Sequence, residues 1–488
     1  MRQSNLTKPT TEELLTVYQE FFPRWKVEQL LRTANVKLYW RVLTPLIILW
    51  GFVWQRLNSD HSCDALVSHL HSGAVDDLDP DDKHAEPLSK RLRSESTSAY
   101  VQGRNRLPLS VLEGCFRYVA TMLGNWLQTH RPAANPGRWK GLVVRLLDGT
   151  TFRLPAQGDL VTTYGQATNQ YGESDWVTLR AVISFCLYTQ SALAYALGTM
   201  DTSEKALVRT VMETDPDPTS LYLADCGFGV YRIFQIGRAC RHPIVARLEI
   251  KVAKALQKRN GRSSFLKPGQ ECPLSWTPLA SNVVEPDLPT DPIEGRLIYA
   301  RQQKNGFRPQ DVYLFTTLLD EQLYPAADIV ELYGQRLRVE IELRHVKTTL
   351  EMEEFQVQSA QMFRKELVAG LLAYNLICAV MVKAAHIADL LPSQLSFKRC
   401  WRRISDVLHQ GVPRWVYEET GALLTWLLQR LAKCKLSHQP NKVKYEPRKV
   451  RRRPAVYPAL KGDRNAARQE ILNQIFVVSN SVAVQVCS

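Results

Sequence analysis

The chain is 488 residues long, 45% hydrophobic and 23% charged, with 62 Lys and Arg against 48 Asp and Glu and a formal net charge of +14 at pH 7. This hydrophobic share excludes a disordered or fibrous chain, and the length allows roughly two to four domains with at least one sizeable core. The cationic surplus points to a polyanionic partner, most simply nucleic acid. Ten cysteines lie scattered, with no Cys-x-x-Cys pair and no zinc spacing, which fits reduced, buried thiols in a cytoplasmic protein. The N-terminal MRQSNLTKPTTEE lacks the apolar stretch of a secretory signal.

Residues 1–135 read as a helical region. Thr11-Glu-Glu-Leu-Leu opens one helix, the segment from Tyr39 to Leu57 makes a second, and Leu109 to His130 makes a third with apolar residues at helical spacing. The apolar run from Val42 to Trp54 carries a Pro and a Gly and falls short of the about 20 residues a membrane span needs, so it reads as a buried helix and no membrane partner is expected. Between these helices lie Asp76, Asp77, Asp79, Asp81 and Asp82, then KRLR at 90–93. With Pro80 inside the run, this stretch reads as a solvated linker rather than a metal site. The segment Tyr100-Val-Gln-Gly-Arg-Asn-Arg-Leu-Pro is a second basic patch of this region, suited to phosphates.

From residue 136 the texture changes. GLVVRLLDGT is an apolar, β-branched run that reads as a buried strand stopping at an Asp148-Gly149 turn, with TFRLP following. Residues 157–175 form a polar loop, 177–190 and 192–200 two antiparallel strands, and Asp201-Thr-Ser-Glu204 has the form of a helix cap. TSLYLADCGFG is another strand, ending at Asp225, and a helix and a strand complete a first core segment, 136–250. Residues 251–309, rich in Pro, Gly and Lys, read as a β-rich insertion without a long helix. A second core segment, 310–390, opens on the strand DVYLFTTLL and includes a long apolar helix from Gln361 to Leu390. Residues 391–488 are helical and basic, peaking at 441–454, where the composition fits phosphate tracking, dimerisation or a tail.

Pro325 and AADIVEL start a helix that nothing interrupts through Tyr333–Lys347. On one helix Tyr333, Arg336, Glu340, Arg344 and Lys347 share a stripe. Two readings fit it: a solvated face held by Glu–Arg pairs at i,i+4, or a carboxylate that binds metal opposite a polyanion. Glu331 and Glu342 lie off the stripe and are set aside. Position favours the second reading. Asp148 and Asp225 each end a strand and project from a common sheet edge, and a helix packed across that sheet can bring Glu340 to them. A lone Asp at a strand end is more often a turn former. Three carboxylates in this order suit Mg²⁺ or Mn²⁺, hard ions that take oxygen ligands and bind substrate phosphate.

The pattern Tyr333-x2-Arg336-x3-Glu340-x6-Lys347, with LLDGTTFRLP around Asp148 and LYLADCGFGVY around Asp225, resembles the motifs of bacterial DDE transposases of the insertion sequence 4 family. The resemblance is best over 138–385. It implies an α/β (α+β) fold: an RNase H-like mixed-sheet catalytic core with a β-rich insertion, flanked by helical regions at 1–135 and 391–488. It implies Asp148, Asp225 and Glu340 as catalytic metal ligands for two Mg²⁺ ions, with Mn²⁺ able to substitute. Tyr333, Arg336 and Lys347 are then expected on DNA phosphates near the cut end, with Arg344 beside them. The implied partner is double-stranded DNA, both transposon ends and target, engaged by a homodimer in a synaptic complex. The implied activity is strand cleavage at terminal inverted repeats, then attack of the freed 3′-OH on target DNA. Two other readings stay open: a DNA-binding protein that has lost catalysis, and an RNase H-like nuclease that cuts without joining. Cys226 stands where relatives commonly carry Arg, a family variation that weakens the case for a DNA contact at that position. Trp276, in CPLSWTPL, is the candidate to stack on a flipped base, against the commoner role of a packing Trp.

Overall fold

The structure, a computed structural model, describes residues 23–35, 42–76, 78, 86–130, 135–166, 168–169, 172–302, 310–410, 427–436 and a few between 463 and 473. The helix expected at Thr11 and the basic segment 441–454 lie outside the described residues.

The centre is one eight-stranded mixed sheet. Its strands are β1 (Val143–Pro155), β2 (Trp176–Cys186), β3 (Ala192–Thr199), β4 (Ser220–Ala224), β5 (Ile244–Leu248), β6 (Glu271–Trp276), β7 (Ile293–Gln302) and β8 (Gln310–Thr316), in the spatial order β3-β2-β1-β4-β5-β8-β7-β6. β1, β2 and β3 form an antiparallel meander, β4 and β5 run parallel to β1, and β8, β7 and β6 continue antiparallel. The segment 251–309 thus adds its strands to this same sheet. It also contains a ten-residue helix, Ile250–Arg259, where the sequence suggested only short β-like pieces; its buried Ala253, Leu256 and Gln257 supply a helical face within the lysine-rich composition.

Both sheet faces are covered, which is why the central strands are apolar on both sides. Alternation along a strand sends successive side chains to opposite faces: Leu146, Leu223 and Val245 enter one core, Leu147, Ala224 and Ala246 the other. The helices, in chain order, are α1 (Arg24–Thr33), α2 (Pro45–Leu57), α3 (Cys63–His71), α4 (Ser98–Arg106), α5 (Leu109–His130), α6 (Gly158–Tyr164), α7 (Glu204–Glu213), α8 (Tyr231–Cys240), α9 (Ile250–Arg259), α10 (Ala326–Gly334), α11 (Arg338–Arg344), α12 (Ala360–Ile387) and α13 (Phe397–Gln410). Three local readings change. The polar loop at 157–175 contains α6 and a small hairpin. The cap of α7 is Ser203, whose hydroxyl accepts from the Ala206 N–H, nearer the helix than Asp201. The 71–99 stretch is partly packed: Val75, Leu78 and Leu88 are buried, and Asp76 accepts from the Ser89 N–H and hydroxyl at 2.8 Å each.

α12 is the central post. By length and composition it is apolar enough to cross a membrane, but 94% of its apolar window is buried inside the protein, so it is a core helix. It packs against α2, α5 and α13. On it Glu366 accepts from both Arg56 of α2 and Arg104 of α4, all three nearly buried, and the neighbouring Lys365 donates to the Arg104 and Asn105 carbonyls at 3.0 and 2.9 Å. Burial depresses the Arg56 guanidinium to about 10, against the pull of Tyr100 and Glu351. The single carboxylate therefore compensates two guanidiniums in the interior and locks the N-terminal helices to the core. Glu366→Ala leaves both cations buried and unpaired, and a loss of about 3–5 kcal/mol is expected in urea unfolding; an unchanged midpoint would show that the ion cluster does not hold the two layers together.

Candidate active site

The site is built on the C-terminal edge of the parallel strands. β1 pairs with β4 only as far as Leu146↔Leu223, so Asp148 lies just past the point where its parallel neighbour ends. β1 itself does not turn at Asp148-Gly149; it continues to Pro155, paired throughout with β2. The glycine answers a close approach instead: a Cβ at Gly149 would sit 2.3 Å from the Glu204 carboxyl carbon. Asp225 follows the last residue of β4, as expected, and its Oδ1 accepts from the Gly227 and Phe228 N–H groups at 2.8 and 3.3 Å. That capping fixes one oxygen and leaves the other facing the site.

Glu340 arrives from a bent element, not from one continuous helix. α10 stops at Gly334, and the chain crosses 335–339 on tight i→i−3 bonds, including Arg336 N–H to the Tyr333 carbonyl at 2.9 Å. α11 follows, and a π-turn over His345–Thr349 closes with the Leu350 N–H on the His345 carbonyl. The bend places Arg336 among the acids. Its Nη2 lies 3.3 Å from Asp148 Oδ2 and 3.7 Å from Asp225 Oδ2, and its Nη1 donates to Glu340 Oε1 at 3.2 Å. One guanidinium, 7% exposed, therefore touches all three carboxylates, while its Nε is buried without a partner.

Burial pushes the Asp148 carboxyl up to about 6, and the charges of Asp225 and Glu340 add to this; Arg336 and the Gly149 N–H pull down but do not prevail. Tyr333, 9% exposed, sits close enough to Arg336, Arg247 and Asp225 to feel each, and burial raises its hydroxyl well above the ordinary value. Lys347, on the π-turn, lies 3.5 Å from Glu353, and Arg344 is exposed at the end of α11; neither touches the acids. Trp276 takes the packing role, the commoner of its two readings. It is 3% exposed on β6, with ring contacts to Phe234 and Phe315 at 5.5 and 5.2 Å between centroids, so a base has no access to it here.

Two residues were not legible as part of this site. Arg247 follows Ala246, which pairs with Ala224, so it stands beside Asp225; alternation puts it on the same sheet face as Asp148 and Asp225. Only strand register reveals it. Glu342, set aside as off the stripe, is buried and accepts from Gln190 Nε2 at 2.6 Å and the Tyr374 hydroxyl at 2.5 Å, anchoring α11 to the β2–β3 turn and α12. Burial raises its carboxyl to about 7. Its position two residues from Glu340, on the opposite side of the helix, was the available signal.

Three hard oxygen donors around one cation position fit a divalent ion in kind. They are spaced for the guanidinium: among the described residues no three acids lie close enough to hold an ion together.

The order β3-β2-β1-β4-β5, an antiparallel meander followed by two strands parallel to β1, together with carboxylates within β1 and just past β4, defines an RNase H-like core. Residues 139–376 match the transposase DDE domain. The chain is 26% identical over 308 residues to the transposase InsG for insertion sequence element IS4 of Escherichia coli (strain K12), an alignment covering 62% of this chain and 64% of that protein, a little under two thirds of its length. Both likenesses agree with the resemblance of the motifs around Asp148, Asp225 and Glu340 to those of DDE transposases of the insertion sequence 4 family. A solved piggyBac transposase synaptic complex with hairpin DNA aligns over 90% of this chain and 88% of that one, at 9% identity and a TM-score of 0.38, too distant to bear on the site.

A carboxyl whose folded value, about 6, lies above its unfolded value of 3.8 holds its proton more tightly in the folded protein. Its contribution to metal-free stability is therefore present at low pH and lost as pH rises from about 4 to about 6. Asp148→Asn is expected to melt above the wild type in EDTA at pH 7 and to converge with it near pH 4, as measured by thermal denaturation across that range.

Proposed function

We propose that the protein is a transposase that binds the terminal inverted repeats of an insertion sequence, cuts the DNA strand there and joins the freed 3′-OH to target DNA. The observation that carries this reading is the meeting of Asp148, Asp225 and Glu340 on one guanidinium at the edge of the sheet. Three acids gathered where two are half-buried cost stability without a cation, so the arrangement is suited to a charged ligand rather than to folding.

Asp148, Asp225 and Glu340 would hold Mg²⁺, two ions in our reading, with Mn²⁺ able to substitute. Such ions would supply positive charge to a phosphodiester under attack there. The remaining roles belong to the chain's own groups. The Gly227 and Phe228 N–H groups orient Asp225, and the Gly149 N–H orients Asp148. Arg336 balances the acids in the metal-free protein, and its planar fork suits exchange of carboxylates for a DNA phosphate. Tyr333 offers a neutral donor and Lys347 a point charge to neighbouring phosphates. Arg247, beside Asp225, fits the same strand from the β5 end.

The substrates in this reading are double-stranded transposon ends and target DNA, held by a homodimer in a synaptic complex within the bacterial cytoplasm. Asp148→Ala, Asp225→Ala and Glu340→Ala are each expected to abolish Mg²⁺-dependent cleavage of end-containing DNA while retaining binding in a mobility-shift assay. Full cleavage by any one of them would contradict the assignment, and nicks without joined product would indicate a nuclease.

A further inference from the structure

A second cationic surface lies beyond the site, on α13 and the segment that runs beside it. The buried positions of α13 are Phe397, Cys400, Ile404 and Ser405, spaced so that one side of the helix faces α12. Lys398, Arg399, Arg402 and Arg403 occupy the opposite side and are all exposed. Residues 431–436 lie alongside: the Ser396 N–H donates to the Cys434 carbonyl at 2.7 Å, and the Leu436 N–H to the Gln394 carbonyl at 2.9 Å. They add Lys433 and Lys435, also exposed.

No Asp or Glu occurs within 394–405 or 427–436, the one acid of α13 being Asp406 beyond them, and none of the six cations pairs with an acid whose side chain is described. Six cations against one acid repel one another, and an anionic partner relieves that repulsion. The patch also has a fixed place relative to the acids. Phe397, at the start of α13, stacks on His345 of the π-turn with centroids 4.5 Å apart, and that turn carries Lys347. That ring contact joins the turn after α11, which carries Lys347, to the first turn of α13.

We propose that this face of α13, with Lys433 and Lys435, is a second DNA-backbone contact that carries the duplex away from the cleavage centre. The proposal rests on the reading of the protein as a DNA-acting transposase and assigns residues 397–405 and 433–435 to DNA rather than to pairing of protomers. Four cations at i, i+1, i+4 and i+5 present a strip about as long as one turn and a half of helix, enough to meet consecutive phosphates of one strand.

The test is duplex binding by the full-length protein across a salt series. The variant carries Lys398→Gln, Arg399→Gln, Arg402→Gln and Arg403→Gln; the comparator carries Lys251→Gln, Lys254→Gln, Lys258→Gln and Arg259→Gln on α9, which removes the same charge from another exposed helix. Every phosphate that is no longer neutralised lowers the slope of log K against log salt by about 0.9. The α13 variant is expected to bind at least about tenfold more weakly at low salt, with a slope reduced by about 2–4, while the comparator keeps the wild-type slope. An unchanged slope in the α13 variant, an equal reduction in both variants, or loss of the dimer in sedimentation with DNA binding retained would each overturn the proposal. If the wild type binds no duplex at all, the transposase reading itself fails, and this proposal with it.

Discussion

Three carboxylates cannot share a half-buried sheet edge without a cation among them, and in this protein Arg336 supplies it. The guanidinium reaches Asp148 and Asp225 through one nitrogen and Glu340 through another. Everything around the site serves that convergence. Asp148 within β1 and Asp225 just past β4 face the same way, and a break between α10 and α11 lets Arg336 enter from the side. The compensation is partial: burial still holds the Asp148 carboxyl at about 6. A site poised in this manner favours whatever brings additional positive charge.

Rigidity behind the acids comes from α12. Its Tyr374 and the Gln190 side chain of the β2–β3 turn both donate to Glu342, so the helix bearing Glu340 is tied at one residue to the sheet and to the central post. The same α12 carries Glu366, through which the N-terminal helices are fastened. One buried helix thus connects the acidic site with the N-terminal layer through hydrogen bonds and ion pairs to its own side chains. Such polar links are costly to bury unless satisfied, and they specify a unique arrangement when they are.

The residues at the site were largely legible in the sequence, while their geometry was not. Asp225 announced itself as the end of an apolar strand, and Glu340 by its spacing from Tyr333, Arg336 and Lys347. The helix through that motif was misread as continuous because no residue in it forbids helix; the tight bonds across 335–339 and the π-turn after α11 depend on tertiary packing. Asp148-Gly149 looked like a turn because glycine signals turns, yet here the missing side chain makes room for Glu204. Arg247 had no local signature at all, since its place beside Asp225 follows from strand register. Trp276 lay in the segment where an aromatic could meet DNA, but that segment joins the main sheet and takes the ring into the core.

Asp148, Asp225 and Glu340 form one charged centre balanced by Arg336, which a divalent ion would displace. Calorimetric titration of the DNA-free protein with Mn²⁺ near pH 7.5 tests this most directly, because it needs neither substrate nor turnover. Saturable Mn²⁺ binding is predicted for the wild type, with its loss in Asp148→Asn and tighter binding in Arg336→Gln, where the competing guanidinium is gone. Equal Mn²⁺ affinity in all three proteins would contradict the account.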